Sequence, residues 1–164
     1  MTPAARVAAA IEICDQIIAG QRTETALTRW ARASRFAGSK DRAAVRDLVY
    51  TARRRWISAQ AVSGGHTGRD ILRGVLMQQD ADLDVLFGGG GHAPASLTDD
   101  ERTFHPTQTD AQSCDIPDWL WDHWCARLGD RAQSVAQSLR DPAPVFVRVN
   151  VAKTTREQVC DSLA

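Results

Sequence analysis

Through the first sixty residues apolar side chains recur at three- and four-residue intervals, and no stretch there alternates residue by residue. That period is the one by which an α-helix buries one face, so it commits this half of the chain to a mainly α fold, a helical bundle, and excludes a sheet. Val7, Ile11, Cys14 and Ile18 form the stripe of a first helix, which Gly20 ends. A second starts at Thr23 or Glu24 and runs through Leu27, Trp30 and Ala31 to the break at Phe36-Ala37-Gly38. Ser39 is a good N-cap for a third, and Asp41 stands in its first turn, where the helix dipole favours a carboxylate. Its stripe is Val45, Leu48, Val49, Ala52 and Trp56, and it should reach Ala61. After Ser63-Gly64-Gly65, a fourth helix carries Ile71, Leu72, Val75 and Leu76, and a short fifth carries Leu83, Leu86 and Phe87.

The chain then changes character. Eight of the eleven glycines fall between Gly64 and Gly91, the last four in one run. From there to Asp115 the residues are mostly small and polar, with Leu97 and Phe104 as the exceptions, so residues 88–115 read as a Gly-rich and polar linker between a domain at 1–87 and a second unit at 116–164. Thr98-Asp99-Asp100-Glu101 fits a capping box for a brief helix inside it. Ile116-Pro117-Asp118-Trp119-Leu120 opens a helix with Leu120, Trp121, Trp124 and Leu128 on it, and Gly129 separates this from another over Arg131 to Leu139. The run Val145-Phe146-Val147-Arg148-Val149-Asn150-Val151 alternates strictly and predicts a strand, followed by a helix from Thr154-Thr155-Arg156-Glu157. A lone strand satisfies neither its edges nor its face, and no partner follows it, so the expectation for 116–164 is an incomplete α/β subdomain cut short.

Charge is split as sharply as glycine. Twenty Lys and Arg balance twenty Asp and Glu, yet residues 1–63 hold eleven basic side chains against five acidic ones. Ten of the eleven lie between Arg22 and Arg55, against only Glu24, Asp41 and Asp47. A basic half attracts polyanions even in a neutral molecule. On the third helix Arg42, Arg46 and Arg53 fall within about 40° of one another, beside the apolar stripe, with Arg55 at its other edge. Arg29 and Arg32, one turn apart, extend the patch through Arg35 and Lys40 if the second and third helices pack together. The guanidinium fork meets two phosphate oxygens at once, which makes these eight residues a candidate phosphate-binding set; the competing reading is a solvated helix face. Trp30 and Trp56 read as core residues. Trp121, Trp124 and Leu128 share a face suited to docking against a neighbouring domain.

Other chemistries find little support. The chain has no apolar run of about 18 residues and no secretory core at its N-terminus, which points to a cytoplasmic protein without a membrane span. Cys14, Cys114, Cys125 and Cys160 form no C-x-x-C pair, which suits reduced thiols. Gly88-x-Gly90-x-x-Ala93 has the outline of a dinucleotide fingerprint but leaves a short helix and enters Ala-Pro, without the strand and helix N-terminus that hold a phosphate. His105, Cys114, His123 and Cys125 lack the paired spacing zinc requires, and no serine, histidine and acid assemble as a triad. Neither a metal nor a catalytic residue is assigned.

Two segments carry a resemblance. Ser39-Lys40-Asp41-Arg42, with Asp47-Leu48-Val49-Tyr50 and Arg53, is similar to the central helix of a NusB-like RNA-binding domain. Ile116-Pro117-Asp118-Trp119-Leu120, Gly129, Phe146-Val147-Arg148-Val149-Asn150 and Lys153-Thr154-Thr155-Arg156-Glu157 resemble the run that leads into the catalytic core of the Sun/Fmu, or RsmB/NOP, family of S-adenosylmethionine-dependent RNA cytosine-5 methyltransferases. The resemblance implies a NusB-like bundle that binds RNA, ribosomal in the first instance, and positions it for a catalytic domain to which the chain docks. It also implies S-adenosylmethionine as cofactor of the full-length parent, with none held in this fragment. Thr51 stands where the family usually has glycine. None of the four cysteines follows a proline, as the family's catalytic chemistry requires of one of them, so no catalytic role carries over. The alternative is a NusB-like module that binds a ribosomal or transcription-factor protein.

Overall fold

A computed structural model describes residues 1–163. Five helices make the N-terminal bundle: α1 (Pro3–Ile18), α2 (Thr23–Ala33), α3 (Ser39–Arg54), α4 (Trp56–Ser63) and α5 (Gly68–Met77). α5 is the central element, packed on α4, α1 and α3, while α1 also holds α2 and α3. Ile13, Cys14, Val45, Val49, Ile71, Leu72 and Val75 lose all contact with solvent in its core, each large aliphatic side chain contributing about 1.5–3 kcal/mol by leaving water. Trp30 and Trp56 pack on that core, partly buried. Small residues set the spacing: a β-carbon on Gly74 would meet the backbone of Ala59 in α4. α6 (Leu83–Leu86) closes the bottom, where Phe87 joins Val7 and Leu76 in a second apolar cluster.

The expected third helix is two. It stops at Arg54, Arg55 leaves helical geometry at φ −119° and ψ 29°, and α4 begins at Trp56. A remote carboxylate makes the break stable: Asp115 Oδ1 accepts the Ser58 N–H at 2.8 Å, in the first turn of α4, and Asp115 Oδ2 accepts the Ser58 hydroxyl at 2.9 Å. The cap of α3 also differs. Gly38 takes the N-cap position and Ser39 starts the helix, while Asp41 gathers the N-terminal ammonium at 3.1 Å and Arg6 Nε at 2.9 Å. These two cations hold the Asp41 carboxyl below its ordinary pKa.

Residues 88–115 lie on the bundle and contain α7 (Asp99–Thr103) and α8 (Asp110–Ser113). Thr98 and Glu101 close the capping box that starts α7. Glu101 is then clamped by Arg69 through Nε at 2.8 Å and Nη2 at 2.9 Å, with Arg73 Nε 3.8 Å away. The Phe104 ring covers Gly64, whose φ of +74° and lack of a β-carbon permit that approach.

Beyond them stand α9 (Asp118–Leu128), a 3₁₀ turn (Gly129–Arg131), α10 (Ala132–Ser138) and α11 (Arg156–Leu163). Trp121 and Trp124 pack with Leu120 against Cys114, Ile116 and Ala136, and the Trp124 indole donates to the Ala132 carbonyl at 2.9 Å. The strand expected at Val145–Val151 does not form, and no strand is present among the described residues. Its backbone has no second strand to pair with, so alternation alone leaves it as an irregular, exposed segment: Val145 and Phe146 are each 89% exposed. The α/β character expected of 116–164 is therefore not seen: its described elements are all helical. The last capping box also sits one residue later than expected, between Thr155 and Gln158. No described helix is long and apolar enough to cross a membrane.

Candidate nucleic-acid interface

α2 and α3 lie against α1 side by side and leave between them an open groove of about 520 Å³, with Thr28 and Ala31 on one wall and Ser39, Arg42, Ala43 and Arg46 on the other. Helical spacing sets the charge of the second wall: Arg42, Arg46 and Arg53 run along one flank of the uninterrupted sixteen-residue α3, and all three are exposed. Arg46 has Asp47 at 3.7 Å, a pair of exposed groups of the kind that holds its partners weakly. Arg42 has no ion pair among the described residues. Arg53 lies over the Trp56 ring, 5.2 Å from its centre, which fixes the guanidinium without neutralising it. The carboxylate nearest this flank on α2, Glu24, lines the groove but accepts the Tyr50 hydroxyl, and that bond raises the Tyr50 pKa.

The remaining predicted residues are spread more widely. Arg32, one turn beyond Thr28, shares that side of α2 but does not line the groove, whereas Arg29, one residue beyond Thr28, is turned about 100° from it. Arg35 is exposed in the break between the helices, and Lys40 is exposed in the first turn of α3, about 160° around from Arg42. Arg55 is half-buried, with Nη1 3.4 Å from Gln78 Oε1. The structure thus brings Arg42 and Arg46 to the groove, sets Arg53 further along the same flank of α3 over Trp56, and leaves Arg29, Arg32, Arg35, Lys40 and Arg55 outside its lining.

Besides Arg6, four arginines outside the predicted set serve the fold. Arg73, 2% exposed, donates to the Ser63 and Glu101 carbonyls. Arg69 pulls the Glu101 carboxyl down to about 2. Arg140 Nε stands 3.0 Å from Asp115 Oδ2 while Nη2 donates to Gln78 Oε1 at 2.7 Å, and Arg54 Nε donates to the Arg140 carbonyl at 3.1 Å. No local pattern announces these contacts, because each joins residues ten or more positions apart. Among the thiols, burial pushes Cys14 up to about 12, which removes it as a nucleophile. The described residues contain no group of three or more His, Cys, Asp or Glu side chains placed to hold a metal ion.

Comparison with known proteins adds one match: residues 116–164 match the family described as Methyltr_RsmF/B-like, ferredoxin-like domain. This is the segment of Ile116-Pro117-Asp118-Trp119-Leu120 and Lys153-Thr154-Thr155-Arg156-Glu157, and the resemblance to RsmB/Fmu methyltransferases is supported there. The match covers under a third of the chain and leaves the helical bundle outside it. No curated protein and no solved structure matches the chain.

Proposed function

We propose that this chain is the RNA-holding N-terminal portion of a ribosomal RNA (cytosine-5) methyltransferase, whose bundle grips the RNA backbone and presents the target to a catalytic domain beyond the residues seen here. The observation that carries the reading is the flank of Arg42, Arg46 and Arg53 beside an open groove, in the same chain as a segment that matches RsmF/B-like methyltransferases. A grip of this kind works through local concentration: holding RNA on one domain makes its encounter with a tethered active site effectively intramolecular. Docking to that catalytic domain is assigned to the helix face of Trp121, Trp124 and Leu128, of which the two tryptophans also pack against Cys114, Ile116 and Ala136.

Members of the matched family use S-adenosylmethionine. The residues present here do not fit that donor. The run Gly88–Gly91 follows the four-residue α6 and turns back on itself, with Gly89 N–H donating to the Pro94 carbonyl at 3.0 Å, so it joins no strand to a helix N-terminus. No step of methyl transfer is therefore assigned to these residues. Binding of the chain to a single-stranded ribosomal RNA fragment, followed across salt concentration, tests the proposal. Affinity should fall steeply and linearly on logarithmic axes, because phosphate contacts release counterions. Affinity indifferent to salt, or retention of a protein from lysate that survives nuclease treatment while RNA is not bound, would overturn it.

A further inference from the structure

A second hollow opens on the other side of Trp30. It measures about 1120 Å³ and lies between the first turns of α1, the end of α2 and the glycine loop, with Phe36, Ser34 and Ala5 among its walls. Trp30 lines both this hollow and the arginine groove, so the two are neighbours across one indole. Phe36 is 76% exposed at its edge, an unusual position for an aromatic ring in the middle of a basic stretch, between Arg35 and Lys40. The ring is not needed by the core clusters of the bundle.

The charges around the hollow select among occupants. Arg69 reaches its wall, but its guanidinium is already spent on Glu101 and on the Ala95 and Ser96 carbonyls. The Met1 ammonium also lines the hollow but is held by Asp41 at 3.1 Å. This leaves Glu12, exposed and without an ion pair among the described residues, as its one acidic wall residue, with His92 the polar side chain of the glycine loop. A carboxylate repels phosphate and accepts hydrogen bonds from exocyclic amines, while the aromatic and alanine walls suit a flat apolar face. The space exceeds the span typical of small-ligand pockets, about 300–1,000 Å³, and so admits a nucleobase without rearrangement.

Resting on the RNA reading above, we propose that this hollow receives one unpaired base of the strand whose phosphates lie on the Arg42–Arg46 groove. The base stacks on Phe36 and turns an amino-bearing edge to Glu12. The protein then selects single-stranded over duplex RNA, and adenine-, cytosine- or guanine-containing strands over oligouridylate.

The test uses the whole chain with an oligoadenylate strand, an oligouridylate strand and a duplex of equal phosphate number. Phe36→Ala should weaken binding of the oligoadenylate roughly ten-fold, the usual effect of losing one stacked base, and leave duplex binding within about two-fold. Phe36→Tyr should restore it, and Glu12→Ala should remove the preference for oligoadenylate over oligouridylate. A 2-aminopurine in the strand should be quenched by the native protein and not by Phe36→Ala. Since Phe36 is exposed, the variant should melt with the native protein, and a lowered melting temperature accompanied by equal loss on strand and duplex would overturn the inference. No loss on either would overturn it too. In that case, a salt dependence that replacement of Arg42, Arg46 and Arg53 still flattens would leave the RNA reading standing alone, and a flat one in the native protein would remove both.

Discussion

Asp115 ties the molecule together from a position that looks unremarkable in the sequence. Its carboxylate caps α4 fifty-seven residues upstream and meets Arg140 at 3.0 Å. Burial raises its pKa above the ordinary value, and the Ser58 N–H and hydroxyl and the Arg140 charge only partly offset that cost. Asp115→Ala removes a helix cap and strands a largely buried cation, so it should lower the unfolding free energy by about 3 kcal/mol in urea titration. Asp115→Asn keeps an acceptor for the Ser58 N–H and should lose less. Glu101 behaves oppositely with pH. Arg69 holds its carboxyl near 2 against an ordinary 4.5, so the folded state favours the ionised form. The stability this contributes is present above pH 4.5 and is lost as the pH falls from there towards 2. Glu101→Gln should lower stability at neutral pH and flatten that acid limb, as read by urea midpoints at pH 6, 4 and 3.

Helix existence was written in apolar spacing, whereas helix ends and approaches were decided by neighbours. The stripes of α1, α2 and α5 follow the 3.6-residue period, and their bounds lie close to the Gly20, Phe36-Ala37-Gly38 and Ser63-Gly64-Gly65 breaks. The separation of α3 from α4 had no such mark, because Arg55 is an ordinary helix residue and the group that stabilises the break comes from Asp115. The same logic undid the strand: Val145–Val151 has the alternation of a half-buried strand, but a ladder needs a second backbone. The α4–α5 contact gives the prediction at this scale. Gly74→Ala would press a methyl group into the Ala59 backbone and should cost about 1–3 kcal/mol in thermal or urea unfolding. Gly90→Ala, with open space around the same atom, should cost far less.

For the molecule as a whole, neutral net charge hides a basic amino-terminal half, and the proposed RNA grip depends on how that charge is displayed. On the proposed RNA reading, replacing Arg42, Arg46 and Arg53 with alanine removes three phosphate contacts from the flank of α3. The slope of log affinity against log salt should then become shallower by about 2, at about 0.7 per single-strand phosphate, without loss of fold because all three are exposed. Filter binding or fluorescence anisotropy from 50 to 300 mM salt, roughly the span over which phosphate-driven binding collapses, reads this directly. The alignment of those three arginines was legible beforehand, since a helix's period fixes which side chains share a flank. The turning of Arg29 from the groove, the withdrawal of Arg55 towards Gln78 and the hollow beside Phe36 were not. The resemblance at 116–164 was likewise carried by residue order and needed no coordinates. The sequence by itself determined which stretches are helical, where charge accumulates and which family its last third is similar to, because periodicity, composition and motif are local properties of the chain. Only the tertiary structure decided which arginines face solvent and which hold the fold, because Glu101, Asp115 and Gln78 reach their partners across distances along the chain that no local pattern encodes.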